Sequence, residues 1–309
     1  MADDGRWMRM RTDESDAELN DIVGMDIGAL RNLRGRKPRD KDDIDAEALT
    51  LNPQGDWMVA FEQDHRVWRY EDLTGPAQDE GQGPLTVFGP MIANKGIETM
   101  AGGPDGGLLC AERHTSGEAN CARIYGRQVE MFELVPPPEL AAFGTGPVPT
   151  DAACADDGVC YALMKAFDSR QLTGKAIKAA VIEVQPDNSQ RVLAVLEHPL
   201  SVDNMEGLAV REQYGRRFLY LASDDNGKNN CEREPRVPEK CQHTLLMKFE
   251  IKSDEPPVPQ VTDAPEPDTQ YETTDVVLQT QMGACKAARS LIPSASCPAS
   301  SMSQRRSPS

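Results

Sequence analysis

No stretch of this chain approaches the ~20 consecutive apolar residues of a membrane-spanning helix, so no helical span is expected. The amino terminus, MADDGRWMRM, has no apolar core of the kind a signal peptide carries. Basic charge is in short supply: 33 Lys and Arg face 50 Asp and Glu, for a formal net charge of −17. Such a surface repels phosphate backbones and excludes nucleic acid as an expected partner. It suits cations, or basic or metal-bound ligands, and is equally the surface of an ordinary acidic soluble protein. Only four histidines are present, none at ligand spacing, and there is no C-x-x-C, which argues against a zinc site. There is no G-x-S-x-G turn and no Ser/His/Asp arrangement, so a serine-esterase mechanism is disfavoured.

Cysteine is not scarce. The eight residues fall as near neighbours: Cys110 and Cys121, Cys154 and Cys160, Cys231 and Cys241, Cys285 and Cys297. An even count in local pairs suits hairpin or loop disulfides in an oxidising compartment, with free thiols as the rival reading.

The 309 residues suffice for one large or two ordinary domains. Four segments repeat one pattern: DAEALTLNPQGDWMVAFEQDHRVWRY from Asp45, GIETMAGGPDGGLLCAERH from Gly96, TDAACADDGVCYALMKAFD from Thr150, and NMEGLAVREQYGRRFLYLASDDN from Asn204. Each opens with an acid before a short apolar strand, then a turn, then a second strand of aromatic and aliphatic residues. The turns carry Asn52-Pro53-Gln54-Gly55, Pro104-Asp105-Gly106-Gly107, Asp156-Asp157-Gly158 and a longer polar insert around Tyr214-Gly215, which is hairpin chemistry. From Glu47 to Glu98 is 51 residues, from Glu98 to Asp151 is 53, and from Asp151 to Glu206 is 55. Hairpins at a nearly constant period of this size predict an all-β fold, a β-propeller. HRVWRY, RIYGRQVEMFEL, KAAVIEV and TLLMKFEI supply outer strands, and Trp57, Phe61, Trp68 and Tyr161 are expected in the core between blades.

ADDGRWMRMRTD reads as the end of a second strand, like ASDDNGK at 222–228. The chain is therefore expected to open inside a blade whose first hairpin is absent, as if the true start lay upstream, with an open ring as one outcome. Residues 1–251 form the propeller on this reading, with 1–44 a blade remnant and connection. Residues 252–309, rich in Pro, Ser and Thr, form a mostly disordered tail in which TDVVLQTQ could add one strand.

In a hairpin the start of the first strand lies beside the end of the second. Glu47, Glu98, Asp151 and Glu206 should therefore share one rim with Glu62, Glu112, Asp224 and Asp225. Converging carboxylates hold Ca²⁺ or act as an acid and base pair with split proton affinities. They also serve simply to accept hydrogen bonds from a neighbouring blade. Asp203, Asn204, Asp224, Asp225 and Asn226 form the densest oxygen group of one blade. Lys165 stands near the place of an acid in the third repeat, positioned to pair with Glu98 or Glu206 or to receive a ligand phosphate. Arg113, His114 and His65 are expected on the same rim.

DAEAL with FEQDHRVWRY, GIETMA with LLCAERH, PTDAA, and above all DNMEGLAV with LYLASDDN and LLMKFEI resemble the phytase-like propellers described by "esterase-like activity of phytase". The resemblance spans roughly Asp3 to Ile251. It implies a propeller, six-bladed in the family, with this chain carrying about four full blades and a partial N-terminal one. It also implies an exported bacterial protein, periplasmic or secreted, and hydrolysis of phosphate or carboxylic esters. By similarity to calcium-dependent propeller phytases, Glu47, Glu98, Glu206 and Asp224 would be catalytic. Asp203, Asp225, Asn226, Glu62 and Glu112 would hold metal, while Lys165, Arg113, His114 and Asn204 would contact a small ester or phosphate ligand. The alternative is a propeller that binds a ligand or protein without catalysis.

Overall fold

The computed structural model describes residues 5–15, 17–38, 40, 43–80, 83–89, 95–103, 106–112, 120–144, 146–168, 177–224, 244–252 and 274–277. Five antiparallel sheets follow one another along the chain. The first blade is β3 (Ala46–Leu51), β4 (Trp57–Phe61), β5 (Arg66–Tyr70) and β6 (Gln78–Asp79). The second is β7 (Ile97–Gly103), β8 (Gly106–Ala111), β9 (Cys121–Tyr125) and β10 (Gln128–Phe132). The third is β11 (Val148–Cys154), β12 (Cys160–Phe167), β13 (Ile177–Val184) and β14 (Gln190–Leu196), and the fourth is β15 (Asn204–Gln213), β16 (Arg216–Asp224) and β17 (Leu246–Ile251). These are the four blades of a β-propeller, each an up-and-down meander that starts with one of the repeats. The first strands β3, β7, β11 and β15 lie side by side, which makes them the innermost strands.

Local chemistry explains the hairpins. Asn52 closes the β3–β4 turn by accepting from the N–H groups of Gln54 and Asp56 at 3.0 and 2.8 Å. The β15–β16 connection is shorter than the polar insert expected there. Gln213 pairs with Arg216 across a two-residue turn, and Tyr214 and Gly215 both have positive φ (55° and 69°). That twist matches a tight hairpin. The extra length lies in the strands, of 10 and 9 residues.

The fifth sheet is built from both ends of the described chain. β1 (Arg6–Asp13) pairs with β2 (Asp21–Ala29) on one side and with β18 (Thr274–Val277) on the other. The order β18-β1-β2 puts β1 between its two neighbours, the place of a second strand that the sequence suggests.

Five apolar clusters occupy the five gaps between sheets. Trp7 and Leu30 pack with Phe61, Trp68 and Tyr70 of the first blade. Ala48 and Val67 meet Met100 and Leu109 of the second. Leu108 meets Met164 and Ile182 of the third, and Leu163 and Val181 meet Met205 and Leu221 of the fourth. Met8 and Met10 pack with Phe218 and Tyr220, joining the last blade to the first sheet. The ring is therefore bridged here, with alternate faces of β1 packing on the first and last blades. Phe61, Trp68 and Tyr161 are buried, and Trp57 packs against the same core.

Candidate functional site: a carboxylate rim set by four bulges

Every first strand carries a β-bulge at the same place. Pairing skips Glu47 between Ala46 and Ala48, Glu98 between Ile97 and Thr99, Thr150 between Pro149 and Asp151, and Glu206 between Met205 and Gly207. A bulge leaves one residue out of the ladder and re-aims its side chain. The residue in register with Glu47, Glu98 and Glu206 is thus Thr150. Asp151, expected there from the spacing, lies one residue further on, which points it elsewhere. Its Oδ2 accepts from the Leu208 N–H at 2.6 Å, and its Oδ1 from the Ala152 N–H at 2.8 Å.

One residue beyond the partner of the pre-bulge position, each second strand offers a further rim residue: Glu62, Glu112, Lys165 and Asp224. The third blade therefore replaces acids at both rim positions, with Thr150 and Lys165. The Thr150 hydroxyl donates to the Met205 carbonyl at 3.0 Å. Lys165 Nζ is ion-paired with Glu206 and donates to Asn204 Oδ1 at 2.8 Å. Asn204 Nδ2 in turn reaches Asp224 Oδ2 at 3.5 Å.

The acids converge on the first two blades. Oxygens of Asp45, Glu47 and Glu62 lie within 4.8 Å of one another, as do those of Glu62, Glu98 and Glu112. Glu62 belongs to both groups. Its Oε1 accepts from the Gly96 N–H at 2.5 Å across the blade interface, and its carboxylate lies within 4.8 Å of that of Glu98. Burial raises the proton affinity of Glu98 well above the ordinary carboxylate range, and the charges of Glu47, Glu62, Glu206 and Glu112 add to the effect. Burial raises Glu62 as well, against the Gly96 N–H and the Glu98 hydrogen bond that pull it down. Glu112 carries Lys95, whose Nζ lies 2.6 and 2.7 Å from its two oxygens.

The donor set fits a hard divalent cation. It is all oxygen, and it offers two groups of three carboxylates that share Glu62. Asp203 and Asp224 join neither carboxylate group, although both are buried. Asp203 accepts from the Asn204 N–H at 2.8 Å. Asp45 opens the first repeat but is absent from the sequence-based candidates. Its signal is an acid two residues ahead of the bulge. Arg113, His114, Asp225, Asn226, Cys231 and Cys241 lie outside the described residues. Two of the expected disulfides are present, Cys110–Cys121 between β8 and β9 and Cys154–Cys160 between β11 and β12.

A family model described as "Phytase-like: Esterase-like activity of phytase" matches residues 1–227, and the chain belongs to this phytase-like family. Among curated proteins none matches the sequence. Solved structures with loose likeness include virginiamycin B lyase from Staphylococcus aureus, at 12% identity and a TM-score of 0.31 over 63% of this chain and 66% of that one. Another is a protein of unknown function from Bacteroides caccae, at 12% identity and 0.31 over 71% and 66%. A third, from Lactobacillus plantarum, has 7% identity and 0.31 over 80% and 82%. The chain thus spans just under two thirds of the first two. The fold assignment rests on the sheets and their order. No helix among the described residues is long and apolar enough to cross a membrane.

Proposed function

We propose that this chain is a hydrolase of phosphate or other esters, working at the carboxylate rim with Ca²⁺ as the candidate ion. The observation that carries the reading is the two groups of three carboxylates that share Glu62, in which burial and the neighbouring charges raise the proton affinity of Glu98. Asp45, Glu47 and Glu62 would hold the cation, which would supply a Lewis acid for the ester oxygen and an activated water. Glu98 serves as the general acid, because burial and its neighbours' charges raise its proton affinity. Glu206 and Asn204 position Lys165, the cation that meets an anionic ester oxygen at the third blade, and Asp224 holds Asn204. The two disulfides suit an oxidising compartment, and we place the protein in the periplasm or outside the cell.

A second reading, a binding propeller with structural acids, is favoured at two positions. Glu62 and Asp151 each accept a backbone N–H from the next blade, which is what a blade staple does.

Hydrolysis of phytate and of a chromogenic phosphate, with Ca²⁺ and with chelator, tests the enzyme reading. Calcium-dependent turnover that falls at least about 100-fold in Glu98→Gln, with the melting temperature held or raised, is expected. No turnover on either substrate, or loss of folding in step with loss of rate, leaves the binding propeller.

A further inference from the structure

Most described cations of this acidic protein are matched to carboxylates: Arg69 to Asp56 and Glu80, Arg217 to Asp157 and Glu212, Lys178 to Glu197. The loop between β2 and β3 breaks that rule. Its segment RNLRGRK, residues 31–37, has four cations and no acid. Among the described residues, Arg34, Arg36 and Lys37 are in no ion pair. Arg31 donates only to the Gly35 carbonyl, at 3.2 Å.

The loop is nonetheless built. Leu30 is buried and its N–H donates to the Gly5 carbonyl at 2.8 Å, while Tyr70 Oη donates to the Arg31 carbonyl at 3.0 Å. Asn32 Oδ1 accepts from the N–H groups of Arg34 and Arg36, both at 3.0 Å, and the Asn32 N–H donates to the Arg36 carbonyl at 2.8 Å. Gly35 takes the positive φ of 71° that this tight turn needs. Pro38 is buried at the far end. The backbone is thus held by its own hydrogen bonds and two buried anchors, while the charged ends of the side chains stand in solvent. Arg31, Asn32, Arg36, Lys37, Asp40 and Asp43 line a cavity of about 750 Å³. That is the volume range of small-ligand sites.

We propose that this cavity binds a small ligand bearing two or more anionic oxygen groups, held by Arg31, Arg36 and Lys37. Fork-shaped guanidiniums match such oxygens in pairs. A single exposed contact is worth little, so one charge on the ligand would not suffice. Asp40 and Asp43 repel an anion from their side of the cavity and so set its orientation. The site is separate from the carboxylate rim and does not depend on hydrolysis there.

Calorimetric titration of the full chain with inorganic tripolyphosphate, in metal-free buffer, tests the proposal. Saturable binding at low ionic strength is expected, weakening toward about 0.15 M salt. The Arg36→Ala/Lys37→Ala double variant should bind about tenfold or more weakly, through loss of two charge-assisted contacts, with an unchanged melting temperature. Glu98→Gln should bind as the unaltered chain does, which separates this site from the rim. Vesicles with and without anionic lipid form the second arm. Absence of saturation up to about 10 mM tripolyphosphate, equal affinity in the double variant, or binding to anionic vesicles alone overturns the proposal.

Discussion

The Gly96 N–H donates to Glu62 Oε1 at 2.5 Å, and a Cβ at Gly96 would lie only 2.7 Å from Glu62 Cγ. Backbone of the second blade and side chain of the first therefore meet with no room for a methyl group. The Gly96→Ala variant should lose roughly 1–3 kcal/mol in denaturant unfolding, since it breaks a buried hydrogen bond or displaces Glu62. Glu62→Gln keeps the acceptor and removes one charge from the cluster, so its stability near neutral pH should hold or rise. A loss in Glu62→Gln as large as in Glu62→Ala would show that charge, not the staple, matters there.

Stability should fall as pH rises. Burial pushes Asp151 up to about 8, against the pull of the Leu208 and Ala152 N–H groups. A group whose folded proton affinity exceeds its unfolded one stabilises the fold when protonated. That contribution is full below the ordinary value of 3.8 and is lost as pH passes through about 8. Burial shifts Glu62 and Glu98 in the same direction. Melting temperatures in chelator should therefore decline from about pH 5 to about pH 9, and Asp151→Asn should flatten the upper part of the curve. A profile that rises across this window would contradict the burial of these groups.

Calcium should restore what alkaline pH removes. A cation bound only by the folded chain stabilises it by about 2.7 kcal/mol at one hundred times its dissociation constant. The gain should appear in thermal unfolding at pH 8 and vanish in a Glu47→Gln/Glu98→Gln variant. An equal gain in both proteins would place the ion elsewhere.

Glu14 ties the first sheet to the fourth blade. It is buried, lies 2.5 Å from Lys248 Nζ in the fourth blade, accepts from Thr12 Oγ1 at 2.6 Å, and accepts from Tyr220 Oη at 2.5 Å. Burial raises its proton affinity, but the bonds from Lys248, Thr12 and Tyr220 overcome this and hold the carboxyl below the ordinary range. Glu14→Ala leaves a buried ammonium without its partner and should cost about 3–5 kcal/mol. Glu14→Ala/Lys248→Met should recover most of that loss, a comparison that unfolding midpoints provide directly.

The two disulfides span short loops, with sequence separations of 11 and 6. Cys110→Ala/Cys121→Ala should lower stability by about 2–3 kcal/mol, and a non-reducing peptide map should show both links. Free thiols at these four positions in protein from an oxidising compartment would refute the pairing.

The sequence by itself determined the class of fold and the place of the rim. Hairpins are local: Asn52 and Gly215 make their turns from neighbouring residues. Acid-led hairpins at a common period are thus readable without coordinates, as are cysteines that face each other across a hairpin. Only the tertiary structure decided which acids meet. One bulge per first strand shifts the register by a single residue, which promotes Thr150 to the rim and turns Asp151 into a staple. Packing of the first blade against the second brings Asp45, Glu47 and Glu62 together and Glu62 to Glu98 and Glu112, while Asp203 and Asp224 of the fourth blade join neither group. Closure by Thr274–Val277 on β1, and by Lys248 on Glu14, joins residues more than two hundred positions apart. No local pattern carries such a pairing, because it is selected by the shape of the gap that the other sheets leave.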